Sequence, residues 1–356
     1  MIFNKNKIGI LLANLLLKRR SVMDDVQFQD LKNLLVQRLD FDRNTDMSIK
    51  KLSGGAIQEN WAILGQKNHE NFEIVLRKNS ETSVEVSSDR EQEYRLLERL
   101  HALNICVPQP LLFEKKDNFL NSDFFIMEKI SGSAEGHKLV RLKDETLQQK
   151  ILKDIGQRLA DLHQIETDAE IEKILPKPQK ETYLSDLIAD LYAQLDKLQR
   201  HRPVLEFALS WMLHEKPVVD DLVLIHGDYR TGNIMINQDH VSGILDWEFS
   251  HWGDRREDIG WFTAKCWRFG QDNQIAGGIG AYKNFMQAYA ERTEIYIPEF
   301  ELKFWHILSH VRWAIIAMQQ SNRNQNNTQA SLELALTEFL VPQLEKNILD
   351  IIGEKE

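Results

Sequence analysis

Cysteine is scarce in this sequence: Cys106 and Cys266 are the only two in 356 residues. Neither a C-x-x-C pair nor an H-E-x-x-H run occurs. That removes zinc ribbons, zinc proteases and a disulfide framework, and it fits a reducing compartment, the cytoplasm. An excess of positive charge is also missing. Lys and Arg total 44 against 54 Asp and Glu, a net charge of −10. That argues against a general nucleic-acid binder, because such binding rests on neutralising phosphates, and it leaves room for a local basic pocket. Long apolar runs are absent too. The best candidate, Ile8 to Leu17 in MIFNKNKIGILLANLLLKRR, is interrupted by Asn14. It falls well short of the ~20 residues that cross a bilayer. It also runs into Lys18-Arg19-Arg20 where a cleavage site would need small residues. Residues 1–22 are therefore expected to be an extension without stable membrane insertion. They form either a peripheral amphipathic helix or the product of an upstream start, with Met1 or Met23 as the first residue.

What is present is an ordinary globular composition, 42% hydrophobic and 28% charged, on a chain long enough for two lobes. Leu31, Leu34, Leu35 and Leu39 keep helical spacing over 24–40. SGGAIQENWAILG, a Gly-Gly turn leading into alternation, and FEIVLRKN read as strands. Glu93, Leu96, Leu97 and Leu100 share one face of a helix over 89–101. FFIMEKISG reads as a buried strand leaving into a linker. The first part of the chain is thus a small sheet with helices. Beyond Gly132 the pattern is mainly helical, with SNRNQNNTQ at 321–329 as a polar loop. The expected fold class is α+β, with lobes over 23–131 and 132–356.

The exception to helix is 222–248, where LIHGDYRTGNIMIN is followed by VSGILDWE. Two apolar runs, Ile234–Ile236 and Val241–Leu245, flank a short turn and predict a β-hairpin. Pairing Ile236 with Val241 sets Asn233 opposite Ile244, with Asp246 just beyond, at one open end. An amide oxygen and a carboxylate meeting there suit Mg²⁺ held jointly with substrate phosphates. Asp228, at the start of the same loop, is free to take a proton from a hydroxyl. One base, an Asn and an Asp on metal is the layout of phosphoryl transfer. The Asp-to-Asn spacing matches the kinase run H-R-D-x-x-x-x-N. The bland alternative makes these turn and cap residues. His226 reads as a brace for the loop and His163 as a core histidine.

Upstream, strand alternation puts Phe72, Ile74 and Leu76 on one face, and Glu73, Val75 and Arg77 on the other. Arg77 is the candidate cation for nucleotide phosphates, with Lys78 the alternative. Glu93 faces inward on the following helix and is its expected partner. Gly54 and Gly55 are candidates for covering the phosphates.

HGDYRTGN, ILDWE and the downstream GDRREDIGW resemble the aminoglycoside phosphotransferase-like family of small-molecule kinases, from about residue 48 onward. KCWRFG and VRWAI are similar to the branch that includes kinase-like domains fused to acyl-CoA dehydrogenases. The resemblance implies a two-lobed, protein-kinase-like fold, with Asp228 as catalytic base and Asn233 and Asp246 as magnesium ligands. It also implies ATP as the nucleotide, GTP being the alternative, with Glu128 and Ile130 contacting its base through main-chain atoms. Two departures stand out. Arg77 replaces the usual phosphate-binding Lys, and Trp247-Glu248 follows the metal Asp where protein kinases have Phe-Gly. With no A-P-E segment either, a protein substrate is not expected.

For the acceptor, Lys265, Trp267 and Arg268 stand together. Trp305, Arg312 and Trp313 recur on a later helix, with Trp305 and Arg312 near one face. Aromatic surface beside guanidinium groups suits an apolar body with an anionic handle, a hydroxy acid or hydroxyacyl-CoA. The opposing reading makes these tryptophans core residues and pairs the arginines with the acidic stretch 254–258. Two further functions stay open: an aminoglycoside 3'-type phosphotransferase and a catalytically silent nucleotide-binding module.

Overall fold

Asp24 opens the first helix. Its side chain accepts from the Gln27 N–H at 2.8 Å, and the Gln27 side chain accepts from the Asp24 N–H at 3.2 Å. This reciprocal cap satisfies two donors that a helix start leaves open. The structure is a computed structural model and describes residues 23–44, 46–52, 58–79, 89–325 and 336–354. Gly54, Gly55 and residues 1–22 lie outside these ranges.

The chain divides into two compact units: Met1–Asn79 with Leu111–Lys129, and Ser80–Pro110 with Ile130–Glu356. The first holds helix α1 (Asp25–Leu39) and a five-stranded sheet. Its strands are β1 (Ser48–Lys51), β2 (Gln58–Lys67), β3 (Glu70–Asn79), β4 (Pro110–Glu114) and β5 (Phe124–Glu128), in the order β1-β2-β3-β5-β4. The alternation read from β3 is the observed one. Phe72, Ile74 and Leu76 enter a core with Leu31 and Leu35 of α1, Trp61, Ile63 and Phe124. Arg77 has the opposite parity and is 4% exposed. Lys78 is engaged elsewhere, paired with Glu59 at 3.3 Å and 5.3 Å from the Trp61 ring centre.

The second unit takes in α2 (Arg90–Ala102), α3 (Gly136–Leu139), α4 (Glu145–His163), α5 (Ala169–Ile174), α6 (Tyr183–Lys197) and α7 (Pro203–His214). Two short ladders follow. β6 (Val223–Ile225) pairs with β9 (His251–Gly253), and between them β7 (Ile234–Asn237) pairs with β8 (His240–Ile244). The chain then runs through α8 (Arg255–Thr263), α9 (Tyr282–Thr293), α10 (Lys303–Gln325) and α11 (Val341–Gly353). Helix α10 continues into the segment read from sequence as a polar loop, since Ser321 is buried and its hydroxyl donates to Glu338 at 2.7 Å.

The β7–β8 hairpin differs from expectation by one residue. Ile236 does pair with Val241, but a bulge between Met235 and Ile236 puts Ile234, not Asn233, opposite Ile244. Ser242 is the extra residue, and its hydroxyl donates to Ser131 O at 2.6 Å. Asn233 consequently meets Leu245, whose N–H donates to Asn233 O at 2.8 Å. The linker after β5 is sewn to the same hairpin by Ser133 and Ile236, which exchange bonds of 2.9 and 3.0 Å.

Gly132 makes that join possible. Its φ is 126°, and a Cβ there would lie 2.5 Å from Ile236 O. Gly132→Ala is expected to cost about 1–3 kcal/mol, read as a lowered thermal midpoint, whereas Ser131→Ala, which keeps the backbone acceptor, leaves the midpoint unchanged.

Candidate active site

Strand β6 is fully apolar and ends at His226, where the chain must turn with its backbone donors buried. Asp258, buried on α8, takes them: its carboxylate accepts from the N–H of His226 at 2.7 Å and of Gly227 at 2.9 Å. His163 adds a contact at 3.3 Å, while its other ring nitrogen meets Tyr289 Oη at 2.9 Å. Burial pushes the His163 imidazole below its ordinary value, against the raising effect of Asp258. Gly227 has φ 77°, and a Cβ there would strike Phe249 O. The His226 ring donates from Nε2 to Leu245 O at 2.8 Å and accepts the Asp228 N–H on Nδ1 at 3.1 Å. It also packs on Trp247, ring centres 4.6 Å apart. His226 is thus a brace between the loop and the end of the hairpin.

Asp228 follows, part-buried among donors. Its carboxylate accepts from Trp261 Nε1 at 2.8 Å, Asn233 Nδ2 at 2.6 Å and Arg230 Nε at 3.0 Å. The Asn233 amide nitrogen also reaches Asp228 O at 2.9 Å. With its nitrogen so committed, the amide oxygen of Asn233 is turned the other way. Asp246, one residue past Leu245, adopts φ 64°, a left-handed conformation that Asp tolerates better than most side chains. Trp247 behind it is 1% exposed and donates to Ile244 O at 2.9 Å. Asp228, Asn233 and Asp246 are therefore carried by one loop and one hairpin end.

Around the carboxylate runs an aromatic layer. Trp261 and Trp267 have ring centres 5.3 Å apart, and Trp267 and Trp313 5.0 Å apart. Arg230 stacks 4.8 Å from the centre of the Trp267 ring, and Arg312 5.1 Å from that of Trp261. Beyond Trp267 opens a cavity of about 440 Å³, lined by Lys265, Cys266, Trp313, Leu340 and Leu344 among others.

Three of the four acceptor residues expected from sequence are not available to a ligand. Trp305 is fully buried, with Arg256 over its ring. Arg312 is committed to Glu257 at 2.6 Å and to Gly227 O at 3.2 Å. Arg268 spends its guanidinium on Thr263 O at 2.7 Å and Asp272 O at 3.0 Å. The reason is common to the two arginines: in a part-buried setting a guanidinium finds protein acceptors before it finds a ligand. Only Trp267 of the four lines the cavity. The residues that sequence reasoning missed, Arg230, Trp261 and Asp258, lie inside the quoted runs HGDYRTGN and GDRREDIGW. Their spacing gave no sign that helix α8 folds back on the loop.

Glu93 is 2% exposed and forms an ion pair with Arg90 one turn earlier on α2. Arg90 also reaches Glu248, two residues after Asp246, at 3.4 Å. Glu128 ends β5, and Ile130 follows it by two residues, its side chain filling the space that Gly243 leaves empty.

A second charge cluster holds the loop from α8. Glu257 accepts from Tyr183 and Arg312 and lies 3.5 Å from His251. Burial alone would raise the Glu257 carboxyl, but His251, Arg312 and Tyr183 together hold it down to about 2. Burial lowers His251 and Glu257 raises it, the balance being upward from the ordinary value. A depressed carboxyl stabilises the fold above its unfolded pKa of about 4.3, and that contribution is lost as pH falls toward about 2. A raised imidazole stabilises below about 6.5 and loses its contribution as pH climbs through the folded value. The cluster therefore supports the fold best between those limits. In Glu257→Gln, urea-unfolding stability between pH 5 and pH 3 should fall less steeply than in the parent, by on the order of 1.5 kcal/mol, about half of the full contribution of the shifted carboxyl.

Residues 48–295 match the phosphotransferase enzyme family. Among curated proteins, acyl-CoA dehydrogenase family member 11 from Pongo abelii is 23% identical over 261 residues, covering 68% of this chain and 32% of its own length. The chain thus spans about a third of that relative. Among solved structures, a candidate aminoglycoside phosphotransferase from Ralstonia eutropha superposes with a TM-score of 0.70 at 20% identity, covering 92% of this chain and 99% of the other. A thermostable mutant of aminoglycoside phosphotransferase APH(4)-Ia, in a ternary complex with AMP-PNP and hygromycin B, does so with a TM-score of 0.59 at 13% identity, covering 89% and 98%. The two-lobed, protein-kinase-like α+β fold expected from the sequence is the fold of these neighbours. With a match over most of its length, the chain belongs to the phosphotransferase enzyme family, whose members act on small molecules.

Proposed function

We propose that this chain transfers the γ-phosphoryl group of ATP, with GTP as the alternative donor, to a hydroxyl group of a small molecule in the cytoplasm. The observation that carries the reading is the bonding of Asp228. Three donors hold its carboxylate in place without burying it, as a base that must orient an incoming hydroxyl and accept its proton requires. Asn233 Oδ1 and the Asp246 carboxylate are hard oxygen donors and fit Mg²⁺, whose remaining positions fall to phosphate and water. Bound there, the ion would neutralise charge on the phosphates. Arg77, buried on β3, is our candidate for the nucleotide phosphates, with Glu93 as its partner. The engagement of Lys78 by Glu59 and Trp61 favours Arg77 over Lys78. Gly54 and Gly55 are assigned to the phosphate loop, and the main chain at Glu128 and Ile130 to the nucleotide base.

For the acceptor we propose a hydroxy acid or a hydroxyacyl-CoA. Support comes from the cavity beyond Trp267, where Trp313, Leu340 and Leu344 offer apolar surface to an acyl chain. The dehydrogenase-family relative points the same way. A polycationic aminoglycoside calls for several carboxylates, and Asp272 in this lining already faces Lys265 at 3.4 Å. MgATP turnover across hydroxy acids, hydroxyacyl-CoA esters and aminoglycosides tests the assignment. Efficient phosphorylation of aminoglycosides alone would reverse the acceptor class, and ATP binding without any turnover would favour a silent module.

Asp228→Asn should keep the fold and MgATP binding and lose about 10²–10⁴-fold in kcat. Calorimetric nucleotide titration beside a coupled turnover assay measures both, and a near-normal kcat would remove Asp228 from the role of base.

A further inference from the structure

Arg230 is held in an unusual way. Its Nε donates to both carboxylate oxygens of Asp228, at 3.0 and 3.3 Å, and its flat face lies 4.8 Å from the Trp267 ring centre. A guanidinium that serves only to neutralise a carboxylate normally meets it with two nitrogens, fork to fork. Here a single nitrogen makes the pair. Among the described residues, Nη1 and Nη2 make no hydrogen bond, in contrast to the terminal nitrogens of Arg268 and Arg312 nearby. The side chain is 27% exposed, so those nitrogens reach solvent. Gly232 keeps the space clear, since a Cβ at that position would collide with Arg230 Nη1. Clamped at Nε and supported on one face, the guanidinium is pre-organised with four N–H donors unspent, beside the carboxylate where a hydroxyl would be activated.

We propose that Arg230 is the anion-binding arm of this active site. Its free N–H groups take oxyanion oxygens where the acceptor hydroxyl meets the transferred phosphoryl group. The assignment rests on the phosphotransfer reading. The transferred group is the favoured anion, because in a loose phosphoryl-transfer transition state charge spreads over three oxygens within reach of the base. Fixed donors aimed at developing charge need no reorganisation during the reaction. The same N–H groups would suit a carboxylate on the acceptor, and the two sources separate experimentally.

The test uses the full chain with Arg230→Gln and Arg230→Lys. The first probe is MgADP with and without aluminium fluoride, which mimics the group in flight. The parent should bind the pair at least about tenfold more tightly than MgADP alone. Arg230→Gln should lose that increment, with affinity for MgADP within about twofold of the parent, and its kcat should fall about 10²–10³-fold. Arg230→Lys should recover part of both, as a point charge without the fork. A merely structural role would lower the thermal midpoint and MgADP affinity together and leave the increment intact.

The second probe is the affinity ratio of 3-hydroxybutyrate to its methyl ester. Loss of this ratio in Arg230→Gln with an intact aluminium fluoride increment would assign the arm to the acceptor carboxylate. Both quantities unchanged, or no increment and no acid preference in the parent, would overturn the proposal. A parent with a full increment but no turnover on any hydroxyl compound would instead count against the phosphotransfer reading alone.

Discussion

The buried carboxylate of Asp258 is the constraint on which the Asp228 loop depends. Two consecutive backbone N–H groups, of His226 and Gly227, converge on it. Such convergence requires a sharp turn, which the left-handed φ of Gly227 provides. The opposite end of the same stretch is held by a cation, since Arg312 donates to Gly227 O. Arg312 is itself secured by Glu257, the neighbour of Asp258 on α8. One helix thus supplies a direct anchor for the loop's donors and, through α10, an anchor for its acceptor. Charge-assisted bonds in a water-poor setting are strong and leave little freedom.

The geometry at Asp228 follows from that anchoring. His226 cannot turn, because each ring nitrogen is engaged, one by Asp228 N–H and one by Leu245 O. Leu245 N–H in turn bonds Asn233 O. Loop and hairpin end therefore share a continuous chain of bonds from Asp258 to the residue before Asp246. The bulge at Ser242 sets where that chain closes. Without it, Asn233 would face Ile244 and Asp246 would stand one residue farther along.

The aromatic layer extends the site outward. Trp261 touches the carboxylate through its indole N–H and passes by stacking to Trp267 and Trp313, which line the cavity. Guanidinium groups sit against two of these rings, and their different fates are instructive. Arg312 finds a buried carboxylate and becomes part of the scaffold, whereas Arg230 meets its carboxylate through Nε alone. A flat cation on an aromatic face is held in orientation as well as in place.

Local chemistry decided what was legible in the chain. The Asp228-to-Asn233 spacing, the hairpin around 237–240, the face alternation of β3 and the inward face of α2 depend on neighbours a few residues apart, and periodicity reports these directly. The core status of His163 and the bracing role of His226 follow from their apolar flanks. Which distant partner a side chain selects belongs to the tertiary structure. Arg312 on Glu257, Arg90 on Glu248 and Trp305 in the core are choices among several acceptors or faces, settled by packing of segments far apart in sequence. The one-residue bulge that re-aims Asn233 is of the same kind. Its alternation pattern is compatible with either register, and the observed one is accompanied by bonds to distant segments, from Ser242 to Ser131 O and between Ser133 and Ile236.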